Sequence, residues 1–410
     1  MASVKGAAAL GPLSDGTYRR IWLAQMFSNV GTWSQTSALQ WFMLPYGSVM
    51  VALVQAVGII PVLVLLLPAG RFSDRHRKKP ILVGTQLFMF AGGVLLVLLA
   101  LAGSVQPVVA LAVLFLIGCG QAVMAPSWYA IQPQLVPAEQ LSQAAALNGT
   151  SMNLARIFGP IAGGSLVQAV GIGGAFAFNS LSYLVTAVVF GRWREQTVPA
   201  PAAGTGGRIT DAVVDVLSSR VKSTVIWRLV SFGPVSGVIW PLLPVYASRT
   251  LHAGSREYGV LLAAFGLGAG VTAFCLPALR KFLSMDAVHR AACWVFAATL
   301  LVLPSVHTLW IACVALLPAA FLAIAALSTL SAEMQHSLTD DMRARGMSIY
   351  QIVLQGGMGV GGIVWGVLAN FYGTGATFAV AAAVLFLSGL STLFLKLGRT
   401  PVPALSGAPE

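Results

Sequence analysis

The chain has 410 residues, of which 57% are hydrophobic and only 9% charged, a balance that excludes an ordinary water-facing surface and requires lipid over most of the outside. Basic residues outnumber acidic ones by 24 to 12, a formal net charge of +12. No basic stretch is interleaved with aromatics or long enough to form a nucleic-acid domain, so no nucleic-acid partner is expected.

The first residues, through Lys5, Asp15, Arg19 and Arg20, show no short apolar segment followed by a small-residue cleavage site. The expectation is therefore no removable signal peptide, with the first span acting as the insertion signal. Apolar runs and breakers predict helices near 20–44, 48–69, 80–102, 107–127, 144–169 and 172–191, each about long enough to cross 30 Å of hydrocarbon. A polar stretch holding Pro199, Pro201, Gly204, Gly206 and Gly207 follows. After it, Ile209, Val213, Val216 and Leu217 have the spacing of a short amphipathic helix on the membrane surface. Six more spans are predicted near 224–247, 257–279, 287–305, 308–330, 346–371 and 374–396. The reading is an all-α polytopic membrane protein of twelve transmembrane helices: a six-helix half at 1–195, a cytoplasmic linker at 196–222 and a second half at 223–410.

Within this frame the first span carries Gln25, Asn29, Thr32, Thr36 and Gln40 at steps of three and four, which align them on one helix face. In lipid a polar stripe points inward, either to line a small-molecule cavity with the flanking Trp33 and Trp41 or to hydrogen-bond neighbouring helices. Arg156 lies deep in the fifth span. A charge there costs about 2.5–3.5 kcal/mol on insertion scales, so it should face the interior, where carbonyls, waters or an anionic substrate could meet it, unless it snorkels to a surface. Cys119, Cys275, Cys293 and Cys313 sit in apolar runs without metal or redox spacing and read as small core residues.

Only Arg249 and Arg256 fall on the side opposite the N-terminus, and apart from Arg156 the remaining basic residues lie on the N-terminal side. The positive-inside rule then places both termini and the central loop in the cytoplasm, in a cell inner (plasma) membrane. At an offset of 202 residues, Asn153 falls on Gln355, and Gly159, Ile161, Gly164, Leu166 and Gly171 fall on Gly361, Ile363, Gly366, Leu368 and Gly373. Such a duplication places a substrate site between the halves, near the bilayer midplane.

The stretch from Gly70 through Asp74 and Arg75 to Lys78 and Lys79 resembles the loop signature between the second and third helices of the major facilitator superfamily, with Arg77 where the second glycine of that pattern usually stands. Further stretches, Tyr18 to Trp33, Leu135-Val136-Pro137 and Asn153 to Pro160, are similar to the subgroup of the enterobactin exporter and drug:proton antiporters. The fifth-span run Gly159-Pro160 and Gly163-Gly164 resembles the antiporter signature of the superfamily, with Ala146 and Ala155 in place of two upstream glycines. The resemblance implies a major facilitator fold in which Gly70, Asp74, Arg75 and Lys78 form a cytoplasmic latch in the outward-facing state, Asp74 closing near Arg345 and Gly346. Gly70 is expected to let the chain turn off the second helix. The resemblance also implies a cavity lined by the first, fourth, seventh and tenth helices, which adds Gln121, Met124 and Trp240.

The expected activity is secondary active export of a small amphipathic molecule, whether drug, siderophore or secondary metabolite, as a monomer. A lysophospholipid transporter and a non-transporting sensor or scaffold are the alternatives. No enzyme is expected, because no nucleophile, base and orienting residue gather in one loop. No phosphate-cradling loop or metal-spaced ligand cluster occurs, so no cofactor or metal is expected and a gradient should supply the energy. Protons are the implied ion. A clear membrane-embedded carboxylate or histidine relay is missing from the reading, with Glu333 near a span end and His307 near the far surface, leaving Asp74, Arg156 and Glu333 as candidates.

Overall fold

A computed structural model of the chain describes residues 11–195 and 209–397. Pro199, Pro201, Gly204, Gly206 and Gly207 of the linker, and Lys5, lie outside the described residues. Six helices come first: α1 (Gly16–Phe42), α2 (Ser48–Arg75), α3 (Lys78–Leu101), α4 (Pro107–Leu135), α5 (Leu141–Val170) and α6 (Ile172–Arg192). A short helix α7 (Ile209–Ser218) leads to α8 (Arg220–Ser236), α9 (Ile239–Arg249), α10 (Ser255–Phe282), α11 (Met285–Val302), α12 (Leu309–Ser337) and α13 (Asp340–Phe394).

Among the described residues, nine helical stretches are long and apolar enough to cross a membrane. Helices α1 and α5 are as long, at 27 and 30 residues, and miss that composition because of their polar side chains. Both pack inside the bundle, against each other and with α1 also against α6, so lipid does not have to solvate those groups. The last stretch, through α13, breaks at Gly373, where φ is +80, and so makes two passes. Twelve passes result, in two sets of six. Gly171, 202 residues earlier, turns α5 into α6 with φ +76. At both places only glycine takes the left-handed backbone without strain.

Helix α1 starts where the Asp15 carboxylate accepts the backbone N–H groups of Thr17 and Tyr18 at 2.8 and 2.7 Å, satisfying two of the four donors a helix start leaves open. The seventh pass is two helices, α8 and α9, parted at Gly237 and Val238. Pro234 lies inside α8, and the Val238 N–H turns to Val235 O. The Pro234 carbonyl freed by that break accepts the Trp365 indole N–H at 2.8 Å. A broken span persists in a bilayer only when protein satisfies its backbone, and this one is among the most enclosed, with 78% of its apolar window buried.

The two halves meet chiefly along α5 with α10 and α2 with α13. Small residues set these approaches. Gly164 lies against the Ser255 carbonyl at the start of α10, and Gly366 of α13 lies 2.9 Å from the Ser48 carbonyl at the start of α2 when a Cβ is placed on it. Helix α7 buries Val216 and exposes Val213 and Leu217, as a helix lying along a surface does, and Lys222 pairs with Asp215 at 2.6 Å.

Candidate functional site

Between the halves lies a cavity of about 630 Å³, within the range of small-molecule sites. Trp33 of α1, Gln55 of α2, Arg156 and Pro160 of α5, Trp240 of α9 and Phe265 of α10 line its inner part. From there it runs past Leu327, Ser328, Ser331 and Gln335 on the later turns of α12, and past Tyr350, Gln351, Gln355 and Met358 on the early turns of α13. Those turns approach the face where the described chain begins and ends, so the cavity opens toward that face. Trp33 and Trp240 face each other at 5.7 Å between ring centroids, with Phe265 a further 6.3 Å from Trp240, and together they make an aromatic floor.

Beyond the floor the opposite face is closed. Tyr258 donates its hydroxyl to Gln40 Oε1 at 2.8 Å, Gln40 donates to the Trp240 carbonyl at 3.5 Å, and Trp41 stacks on Tyr258. Ser255 Oγ donates to the Gly164 carbonyl at 2.9 Å. The glycines of α5 permit this closure on two sides: Gly159 and Gly163 lie against Trp33, Ser34 and Ser37 of α1, while Pro160 and Gly164 lie against Gly259 and Ser255 of α10.

Of the nine residues read as cavity-lining, Trp33 and Trp240 are in the wall. Gln40 belongs to the closure. Asn29 donates to Ser151 Oγ at 3.2 Å, Gln25 lies 3.5 Å from Asn29, Thr32 meets the Tyr183 hydroxyl at 3.5 Å, and Thr36 bonds back to the Thr32 carbonyl. Met124 accepts from Gln86 at 3.2 Å, and Gln121 meets Tyr183. The polar stripe of α1 thus works mainly between helices, the alternative that its spacing left open. Missed by the sequence reading were Gln55, Gln351 and Gln355. Gln55 is the one polar side chain between Val49 and Gly70, and Gln355 is the repeat mate of Asn153, so both carried a signal.

Arg156 reaches the cavity with its guanidinium 5.7 Å from the Trp33 ring centroid. Glu333 is buried, at 4% exposure, and off the cavity wall. Two buried titratable groups escaped the sequence reading. Arg228 of α8 pairs with Asp286 of α11 and donates to the Leu395 carbonyl at 2.9 Å. His289, one turn further along α11, is 1% exposed beside Phe232, so the chain does bury a histidine within a span.

The loop after α2 also departs from expectation. Helix α2 continues through Asp74 to Arg75, and a Cβ on Gly70 would meet nothing within 4 Å, so Gly70 sits in the helix and the turn falls at His76 and Arg77. Glu195, following α6, accepts from the Lys78 backbone N–H at 2.6 Å and from Arg77 at 3.2 Å, placing a carboxylate at the positive start of α3. Lys78 Nζ donates to the Ser73 carbonyl. Asp74 and Arg75 are exposed, and among the described residues Asp74 makes no ion pair.

Residues 7–406 match the transmembrane secretion effector family. The staphyloferrin A transporter of Staphylococcus aureus is 21% identical over 375 residues, covering 90% of this chain and 91% of that one. The macrolide efflux protein A of Enterococcus faecalis is 28% identical over 142 residues, 35% of this chain and 44% of that one. Among solved structures, a bacterial homolog of the human lysosomal transporter Spinster, inward-facing and unoccupied, superposes with a TM-score of 0.71 at 13% identity, covering 94% of this chain and 99% of that one. This twelve-pass chain belongs to the transmembrane secretion effector family of the major facilitator superfamily, and is a membrane transporter rather than an enzyme.

Proposed function

We propose that the protein exports small amphipathic molecules from the cytoplasm by alternating access around the cavity between its halves. The observation that carries this reading is a cavity with an aromatic floor, open toward one face and closed toward the other by glycine-mediated contacts between α5 and α10. A site open to one side at a time is what vectorial transport needs. With the basic loops taken as cytoplasmic, the open face is the cytoplasmic one, where an exporter loads. The bodies that move are residues 1–195 and 223–410, joined through 196–222. Relatives that carry a siderophore and a macrolide support an exported compound of similar size, and the drive is a proton gradient.

Among the described residues Asp74 makes no ion pair in this inward-open arrangement. That is the condition of a latch that engages the start of α13, near Arg345, when the cytoplasmic side closes. The reading is tested by efflux of a dye panel and an iron chelator from cells lacking their own exporters, before and after collapse of the proton gradient. Gradient-dependent loss of at least one compound, in protein-containing cells only, is expected. A chain present in the membrane at normal level that lowers the accumulation of none would refute it.

A further inference from the structure

A charge held within the membrane-spanning part of a protein without a fixed partner is costly to keep. The chain shows how it handles one that is structural: Arg228 is given the Asp286 carboxylate and the Leu395 carbonyl. Arg156 is treated differently. Its guanidinium stands over Trp33 at the cavity floor and, among the described residues, has neither a hydrogen-bond acceptor nor a carboxylate. It is also the one charged side chain among the described residues that line the cavity. No acidic group offsets it there, and the hydrogen-bonding groups around it, Gln55, Gln351 and Gln355 among them, are neutral.

We propose that Arg156 is the anion-binding group of this cavity, and that the transported class is an amphipathic organic anion. A carboxylate or phosphate would lie on the guanidinium and an aromatic or aliphatic body on the Trp33, Trp240 and Phe265 floor. The planar guanidinium fork matches either oxyanion with two parallel hydrogen bonds. Lying over the Trp33 ring at 5.7 Å, it is partly oriented by cation–π attraction before the ligand arrives, which lowers the side-chain freedom lost on binding. A cationic amphipath of the same size meets a like charge with no carboxylate to compensate, so the site discriminates by sign as well as by shape. The pseudo-repeat sharpens the point, because the mate of Arg156 at the 202-residue offset is Met358, which lines the same cavity. One half therefore supplies the charge and the other an apolar, adaptable contact.

This inference rests on the cavity being the transport site. Its test reads binding directly, on the purified full-length protein in nanodiscs, with dansylglycine as the acid and its methyl ester as the neutral match. The acid is expected to bind at least about tenfold more tightly than the ester. Arg156→Gln should bring the acid down to the ester's affinity while leaving the ester unchanged, and Arg156→Lys should keep part of the preference. An acid bound no more tightly than the ester by the wild-type protein, or a preference that survives in Arg156→Gln, would overturn the proposal. If the preference holds but cells export nothing, only the transport reading fails. If cells export compounds without regard to charge and Arg156→Gln changes nothing, only this inference fails.

Discussion

Gly164→Ala is the substitution most directly tied to the closed side of the cavity. A Cβ at Gly164 would overlap the Ser255 carbonyl oxygen and stand 2.9 Å from the Ser255 carbonyl carbon and 3.1 Å from Arg256 Cα, against 3.4–4 Å for ordinary contact. All three are backbone atoms and cannot rotate away, so α10 has to withdraw from α5 by about 0.5–1 Å, and the Ser255 hydroxyl loses its 2.9 Å bond to Gly164. Overpacking of this kind costs about 1–3 kcal/mol. Because it is felt only where α5 and α10 touch, it shifts the balance toward the state in which they part, by about 5- to 150-fold. The shift is read by electron–electron double resonance between spin labels at Val170 and His252, both exposed near that contact, with the four native cysteines replaced. Gly149→Ala on the same helix, where a Cβ meets nothing within 4 Å, is the control and should leave the distance distribution unchanged. If Gly164→Ala shows no added population at longer distance, the glycine does not set the closure and the reasoning fails.

Gly366→Ala, whose Cβ would stand 2.9 Å from the Ser48 carbonyl, should produce a smaller shift of the same sign, read between labels on α2 and α13. Asp74→Asn should leave the thermal stability of this arrangement unchanged, since Asp74 is exposed and makes no ion pair among the described residues, yet slow efflux; normal efflux at full expression would dismiss the latch. Asp286→Asn strands Arg228, whose side chain is 1% exposed. Because the Leu395 carbonyl remains, the loss should be near the lower end of the about 3–5 kcal/mol typical of a broken buried pair, seen as a lowered unfolding temperature in detergent. Trp33→Ala removes the ring shared by the floor and Arg156 and should weaken binding of the best-exported dye by about tenfold, measured by direct titration.

The spans were legible because lipid makes a simple demand: about 20 apolar residues per pass, punctuated by turns. The predicted runs therefore fall on the helices, down to the break at Gly373, although α2, α4 and α12 run on to Arg75, Leu135 and Ser337, past the predicted ends at 69, 127 and 330. The glycine repeat was legible for a related reason, since close helix approach in lipid depends on small residues: Gly159 and Gly164, and their mates Gly361 and Gly366, meet backbone, while Gly171 and Gly373 serve the turns. Side-chain roles were harder. Spacing placed Gln25, Asn29, Thr32, Thr36 and Gln40 on one face of α1 but could not say what stands opposite. Ser151, Tyr183 and Tyr258, all more than 100 residues away, turned most of the stripe into packing. Gly70 misled for a local reason, because a glycine before a basic run reads as a turn while the helix carries on to Arg75. Arg228 and His289 were hidden by proximity to predicted span ends, where snorkelling is the ordinary outcome.

The duplicated architecture and Arg156, which has no carboxylate partner among the described residues, bear on one another. In each half a glycine-rich helix packs on the first helix of its own half and on the second helix of the other: α5 on α1 and α10, and the first part of α13 on α8 and α2. Such cross-braces suit halves that rock as bodies, because the close backbone approaches on the closed face run through Gly159, Gly163, Gly164 and Gly259, and the larger side chains there, Gln40, Trp41 and Tyr258, carry no charge. The closing hydrogen bonds, Ser255 to Gly164 and Tyr258 to Gln40, are neutral, so water replaces them at small net cost. Charge is kept out of the distal closure and placed where the halves face each other across the cavity, on Arg156. If Arg156 binds the ligand as proposed, a site with one charge among its described lining residues on one half, and with Met358, Gln351 and Gln355 on the other, is complete only when a ligand bridges the two. Under the proposed alternating access, that makes the occupied cavity, rather than either closed face, the place where binding can bias the equilibrium between the two open states.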